Sequence, residues 1–310
     1  MNRRLMPKLF AVSVFVAALL ALAFLFNAVA AQSNMVTTTV TAVAKKENQQ
    51  PPALTKDDVQ LYQGKERIQV ADWQRGGPLF LAVLIDDSLD QQLASQWNDL
   101  RAFFLAQSED TYIAVAYSRN GAAEVAQDFT KDHALAGKAL RIPLGYSGAF
   151  TSPYLTLMDW IKRWPDSNQR KSIIMFSSGI DYFRGSFDPV DPDLDSTISS
   201  AQRKNINVWT IYYPDAGHVG RRAFRVFNSQ SNLSRLSEET GAESYYLSFG
   251  IPVTLKPYFD EIHAHLNNQY LLTFMGNGGK KGKFERVRVT TETKEIEFLT
   301  PSEVFLPPVE

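Results

Sequence analysis

Leu79-Phe80-Leu81-Ala82-Val83-Leu84-Ile85-Asp86-Asp87-Ser88-Leu89-Asp90 is the stretch that decides the fold of this chain. The run from Leu79 to Ile85 is continuously apolar, without the polar alternation of a strand that faces water on one side. A strand of that kind is buried on both faces, as at the centre of a parallel sheet. It stops abruptly in acids, so its carboxyl end opens to a polar loop. Working outward, Tyr112–Tyr117, Ser172–Phe176 and Ile206–Tyr212 repeat the pattern, and Glu243–Leu247 is a fifth, shorter strand. Helical spacing fills the gaps at Leu93–Leu105, Tyr154–Ile161, Ile198–Lys204, Ser231–Thr240 and Pro252–Leu266. Gly241 is a suitable stop for the fourth of these. Ala122–Phe129 reads as an edge strand. Strand and helix alternate at βαβ spacing, which predicts an α/β, doubly wound, mainly parallel sheet.

The flanks read differently. Val36–Val43 is Thr-rich and alternating, and Gln49-Gln50-Pro51-Pro52 breaks it. Val59–Tyr62 and Ile68–Val70 suggest a hairpin. Beyond the last helix, Gln269–Phe274, Phe284–Thr291 and Ile296–Leu299 follow without helices, with Gly276-Asn277-Gly278-Gly279 as the first turn. The expected division is an export segment over 1–30, an N-terminal β segment over 31–75, the α/β domain over 76–268, and a C-terminal β segment over 269–310. The two β segments are expected to pair into a small β-rich unit.

Arg3, Arg4 and Lys8 precede an apolar run from Leu9 to Val29, and Ala28-Val29-Ala30 fits a signal-peptidase site. The expectation is a periplasmic or secreted protein. The alternative is that the helix stays uncleaved as the only membrane attachment. The sequence contains no cysteine, which removes disulfides and thiolate chemistry. A net charge of −1 without a basic stripe argues against nucleic acid as a partner.

Ligands of open α/β sheets bind beyond the carboxyl ends of the strands. Three oxygen-bearing loops qualify: Asp86-Asp87-Ser88-Leu89-Asp90, Gly148-Ala149-Phe150-Thr151-Ser152 and Ser177-Ser178-Gly179-Ile180-Asp181. Carboxylates and hydroxyls without His or Cys suit Mg²⁺ or Mn²⁺, with Ca²⁺ a poorer fit. In this order the loops resemble the metal-ion-dependent adhesion site of von Willebrand factor type A domains. Thr55–Tyr62, Asn268–Phe274 and Lys283–Val289 resemble the flanking strands of the bacterial related group. The resemblance implies a metal set of Asp86, Ser88, Asp90, Thr151 and Ser178. Asp90 stands where the family has a serine, and Ser178 where it has an aspartate. An acid at 90 would satisfy more of the ion's charge from within the protein, and the loss at 178 removes an anchor. A second reading stays open, in which Asp87 and Asp90 serve the next helix's first turn and Ser177 and Ser178 satisfy turn amides.

Asp188, Asp191, Asp193 and Asp195 lack the glycine of a calcium loop and read as a solvated turn and helix cap. His263 and His265 are two apart on a helix and do not share a face. Neither Gly145-Tyr146-Ser147-Gly148 nor the Gly276–Gly282 stretch has the spacing of a hydrolase elbow or a phosphate loop. The resemblance implies a module for adhesion or assembly that binds a protein or peptide outside the cytoplasm. A hydrolase-type enzyme and a structural subunit with a non-functional metal site are the alternatives.

Overall fold

The computed structural model describes residues 35–46, 49–184, 191–216, 223–246 and 253–308. The expected export segment and Asp188 lie outside the described residues. The central sheet has six strands: β5 (Leu79–Asp86), β6 (Thr111–Arg119), β7 (Ala122–Thr130), β8 (Arg170–Ser177), β9 (Asn207–Tyr212) and β10 (Ser244–Tyr246). Their order is β10-β9-β8-β5-β6-β7. All neighbours are parallel except β6 and β7, which form an antiparallel edge pair. From β5 the chain moves first to β6 on one side, then returns to β8 on the other. The sheet's topological switch point therefore lies at β5 and β8, where an open α/β sheet forms its ligand crevice.

Six helices are described: α1 (Trp97–Leu105), α2 (His133–Lys138), α3 (Pro153–Lys162), α4 (Pro192–Lys204), α5 (Ala223–Glu239) and α6 (Lys256–Asn267). Their ends follow local chemistry. Ser152 accepts from the Leu155 amide and Pro153 opens α3; Asp191 accepts from the Asp193 and Leu194 amides and Pro192 opens α4. A side-chain oxygen at that position satisfies amides that have no partner inside the helix, and proline is free to follow because its missing N–H is not needed. α4 ends on Asn205, whose left-handed φ of 52° suits asparagine better than most residues. The expected helix from Leu93 begins as a tight 3₁₀ segment, Gln91–Gln96, before α1.

β5 shows why its apolar run is continuous. Leu81, Val83 and Ile85 pack with Leu100, Phe104, Trp209 and Phe259 on one face. Ala82 and Leu84 pack with Tyr154, Leu157, Met175 and Ile198 on the other. Side chains alternate across a strand, so two covered faces require apolar residues at both parities.

The chain ends build a β-rich unit. β1 (Met35–Ala44) pairs with β11 (Gln269–Met275) and β14 (Ile296–Leu299), and β4 (Val70–Arg75) pairs with β11. β2 (Val59–Gln63) lies between β3 (Glu66–Ile68) and β13 (Val287–Thr291), while β12 (Lys283–Glu285) pairs with β15 (Val304–Leu306). Val40, Leu61, Leu272, Phe274, Val289 and Leu306 share its core. Two local expectations change. The strand expected at Ile68–Val70 is split between sheets, Ile68 opposite Leu61 and Val70 opposite Phe274. The Gly276–Gly279 stretch is a crossing between sheets and not a hairpin turn, because β11 and β12 take different partners. A Cβ on Gly278 would sit 2.2 Å from the Pro307 carbonyl oxygen, so close backbone approach explains the glycine there.

Candidate functional site

Four side chains meet beyond the carboxyl ends of β5, β8 and β9. Asp86 ends β5 and is buried. Its Oδ1 accepts from the Ser88 amide at 3.0 Å and the Ser88 hydroxyl at 2.8 Å. Across the switch point, the hydroxyl of Ser177 at the end of β8 donates to Asp86 Oδ2 at 3.1 Å. Ser88 Oγ also lies 3.1 Å from Asp215 Oδ1, and the Tyr182 hydroxyl donates to Asp215 Oδ2. The backbone fixes this meeting. Leu89 and Asp215 form an isolated antiparallel bridge, the Asp90 amide donates to the Pro214 carbonyl at 3.0 Å, and the Ala216 amide donates to that of Ser88 at 3.1 Å.

The electrostatics of the two neighbouring acids differ. Arg141 clamps Asp87 with two bonds of 2.6 and 2.7 Å and lies over the Tyr117 ring at 3.7 Å. Asp86 faces another acid. Burial first, and the charge of Asp215 second, raise its carboxyl to about 7. A serine hydroxyl has one proton, so Ser88 can donate to one of the two carboxylates at a time. A proton on one carboxyl, or a cation between them, satisfies the other contact.

The residues expected to hold a metal are divided by the structure. Asp86 and Ser88 bond to one another. The Asp90 carboxylate accepts from the Gln92 amide at 2.9 Å and caps the 3₁₀ segment ahead of α1. Thr151 Oγ1 accepts from the Gly148 amide at 2.9 Å, and its carbonyl takes the Tyr182 and Phe183 amides, which ties this loop to the one after β8. Ser178 Oγ accepts from the Ile180 amide at 3.3 Å. It is Ser177, not Ser178, whose hydroxyl reaches Asp86. Asp215 is the residue that sequence reasoning missed. The signal was present, since it follows the apolar strand Ile206–Tyr212 as Asp86 follows its own.

Around this cluster the loops carry exposed aromatic surface. Phe150 and Phe183 are 61% and 44% exposed, with ring centroids 5.8 Å apart. Ile142 and Tyr146 are also exposed. They sit on a loop held to Asp87 by Arg141 and by the Leu144 and Gly145 amides.

A second acidic group lies behind the rim. The carboxylates of Asp181, Asp191 and Asp193 lie within 4.8 Å of one another, all buried. Ser152 donates to Asp181 at 2.6 Å, and Arg184 forms two bonds to Asp193 at 2.8 and 3.1 Å.

No protein-family model and no curated protein matches the sequence. Solved structures similar in fold include an aerotolerance-related membrane protein from Bacteroides fragilis, at 12% identity over 62% of this chain and 99% of that one, with a TM-score of 0.44. A von Willebrand factor type A structure from Catenulispora acidiphila matches at 12% identity over 86% of this chain and 76% of the other, with a TM-score of 0.45. The SpRpn10 VWA domain matches at 13% identity over 59% and 95% of the two chains, with a TM-score of 0.36. The central β5, flanked by β8 and β6 with an acidic turn at the switch point, makes this a doubly wound, mainly parallel α/β fold.

Proposed function

We propose that this chain is an exported protein-binding module that captures its partner at the carboxyl end of the central sheet. The observation that carries the reading is the exposed Phe150–Phe183 pair: the Phe183 loop also carries Ser177 and Tyr182, which bond to Asp86 and Asp215, and the Thr151 carbonyl ties the Phe150 loop to it. Exposed aromatic side chains on a rigid rim are the kind of anchor that dominates protein interfaces. An apolar side chain of the partner would pack across the two rings.

The cluster beneath supports a divalent cation at the same face. Two buried carboxylates and the hydroxyls of Ser88 and Ser177 are a hard-oxygen donor set that fits Mg²⁺ or Mn²⁺. The adjacent guanidinium is committed to Asp87. In this reading Asp86, Ser88, Ser177 and Asp215 hold the ion, Asp90 and Ser178 serve their own turns, and Thr151 positions its loop. The ion would relieve the repulsion between Asp86 and Asp215 and present positive charge to a carboxylate of the partner. The basic and apolar N-terminal sequence supports placement outside the cytoplasm.

Capture from an envelope extract with the immobilised protein tests the proposal. The F150S/F183S double variant is expected to fold normally and to lose the partner, and chelation is expected to weaken capture. Unchanged capture by the double variant would refute the aromatic anchor. Capture that needs the aromatics and ignores chelation would remove the ion from the account.

A further inference from the structure

Glu261 and His265 are four residues apart on α6, so they project from one face of the helix. That face looks toward the segment that enters β10. There Glu243 is fixed through its carbonyl, which accepts from the Thr210 amide at 3.2 Å. One donor atom from each of Glu243, Glu261 and His265 falls within 4.8 Å of the others.

The spacing inside this group is informative. His265 Nδ1 is 3.6 Å from Glu243 Oε2 and 3.5 Å from the Tyr245 hydroxyl. The Tyr245 hydroxyl is 3.4 Å from Glu243 Oε2. These separations are longer than ordinary hydrogen bonds. The 3.6 Å between His265 Nδ1 and Glu243 Oε2 matches the gap of about 3.3–3.6 Å between neighbouring ligands of an ion whose bonds are about 2.0–2.2 Å. The imidazole is 7% exposed and stacks on Trp209 with centroids 5.3 Å apart, so its ring plane is fixed and its Nδ1 is aimed at the acids. His265 lies in the last turn of α6, where the helix dipole favours a cation. A cleft of about 610 Å³, lined by Glu243, Glu261, Tyr245 and Phe298 among others, opens the site to solvent.

We propose that Glu243, Glu261 and His265 form a second cation site, at the β10 edge of the sheet and separate from the Asp86 cluster, which takes a Zn²⁺-class transition-metal ion. One imidazole nitrogen with two carboxylates supplies three protein ligands and leaves a position for water or a partner's side chain. The nitrogen ligand distinguishes this site from the all-oxygen cluster at Asp86, which favours Mg²⁺. Glu261 is exposed, so it can be changed without disturbing the core.

The test is Zn²⁺ titration of the metal-stripped full chain by calorimetry, in excess Mg²⁺ to occupy the hard-oxygen cluster. Wild type is expected to bind one Zn²⁺ per chain and to melt at a higher temperature with it. Glu261→Gln and Glu243→Gln are each expected to weaken binding at least tenfold and to lose the thermal rise. Zn²⁺ binding by both variants at wild-type affinity would overturn the proposal, as would its complete displacement from wild type by Mg²⁺.

Discussion

The acidic turn at Asp181, Asp191 and Asp193 carries its own base, since Arg184 forms two bonds to Asp193. The cluster at Asp86 and Asp215 is bordered by Arg141, but that guanidinium is committed to Asp87. Both regions gather buried carboxylates behind hydroxyl donors. In the first, Arg184 pairs with Asp193, Ser152 donates to Asp181 and Asp191 caps α4, so structural roles account for the residues. In the second, two acids share one serine hydroxyl, and the charge of Asp215 adds to burial in raising the Asp86 carboxyl. Acids held by a base and by turn amides are explained by the fold, whereas acids that press on one another are the ones a bound cation would relieve.

The largest expected effect comes from breaking the neutralised neighbour. Arg141→Ala leaves the buried Asp87 carboxylate without its clamp, and should lower stability by about 2 kcal/mol. That is less than for a fully buried pair, because the Arg141 side chain is 39% exposed. Denaturant unfolding at pH 7 measures it. Asp215→Asn should act in the opposite direction and more weakly, raising stability in chelator at pH 8 by about 1 kcal/mol, because it removes a like charge from a buried acid.

The dependence on pH sharpens the contrast. The folded Asp86 carboxyl keeps its proton up to about 7. In the unfolded chain it releases that proton near about 4. Between these values the folded state holds more protons, so its stability falls as pH rises through the window and levels off above it. In chelator the thermal midpoint of wild type should fall from pH 5 to pH 8, and that of Asp215→Asn should fall less. Equal slopes would show that Asp215 does not set the Asp86 proton affinity. The smallest effect is expected at the acidic turn. The Arg184 side chain is 50% exposed, so Arg184→Ala should lower the melting temperature less than Arg141→Ala does and leave the response to Mg²⁺ intact.

The strands of the central sheet were legible because burial on both faces leaves a plain mark. Leu79–Ile85 has no polar parity to spare for solvent. The terminal strands were legible as strands, but their partners were not. Ile68 and Val70 are two residues apart and belong to different sheets, and nothing local in the sequence encodes that split. At the rim, Asp86 and Ser88 could be read from the end of their strand. Asp215 follows its own apolar strand as Asp86 does, but only the backbone bridge between Leu89 and Asp215 shows that it reaches Ser88 from 127 residues away. Ser177 and Ser178 are adjacent hydroxyls, and only the backbone path after β8 decides which of them faces Asp86. At the β10 edge, the distance from His263 to His265 drew attention away from the pair on one face, Glu261 and His265.

The most direct measurement is the thermal midpoint of the metal-stripped full chain at pH 8 during Mg²⁺ titration, with wild type and Asp215→Asn side by side. A saturable rise in wild type that Asp215→Asn abolishes is the predicted result. A wild-type midpoint that does not move, or an equal rise in both proteins, would contradict a cation held between Asp86 and Asp215.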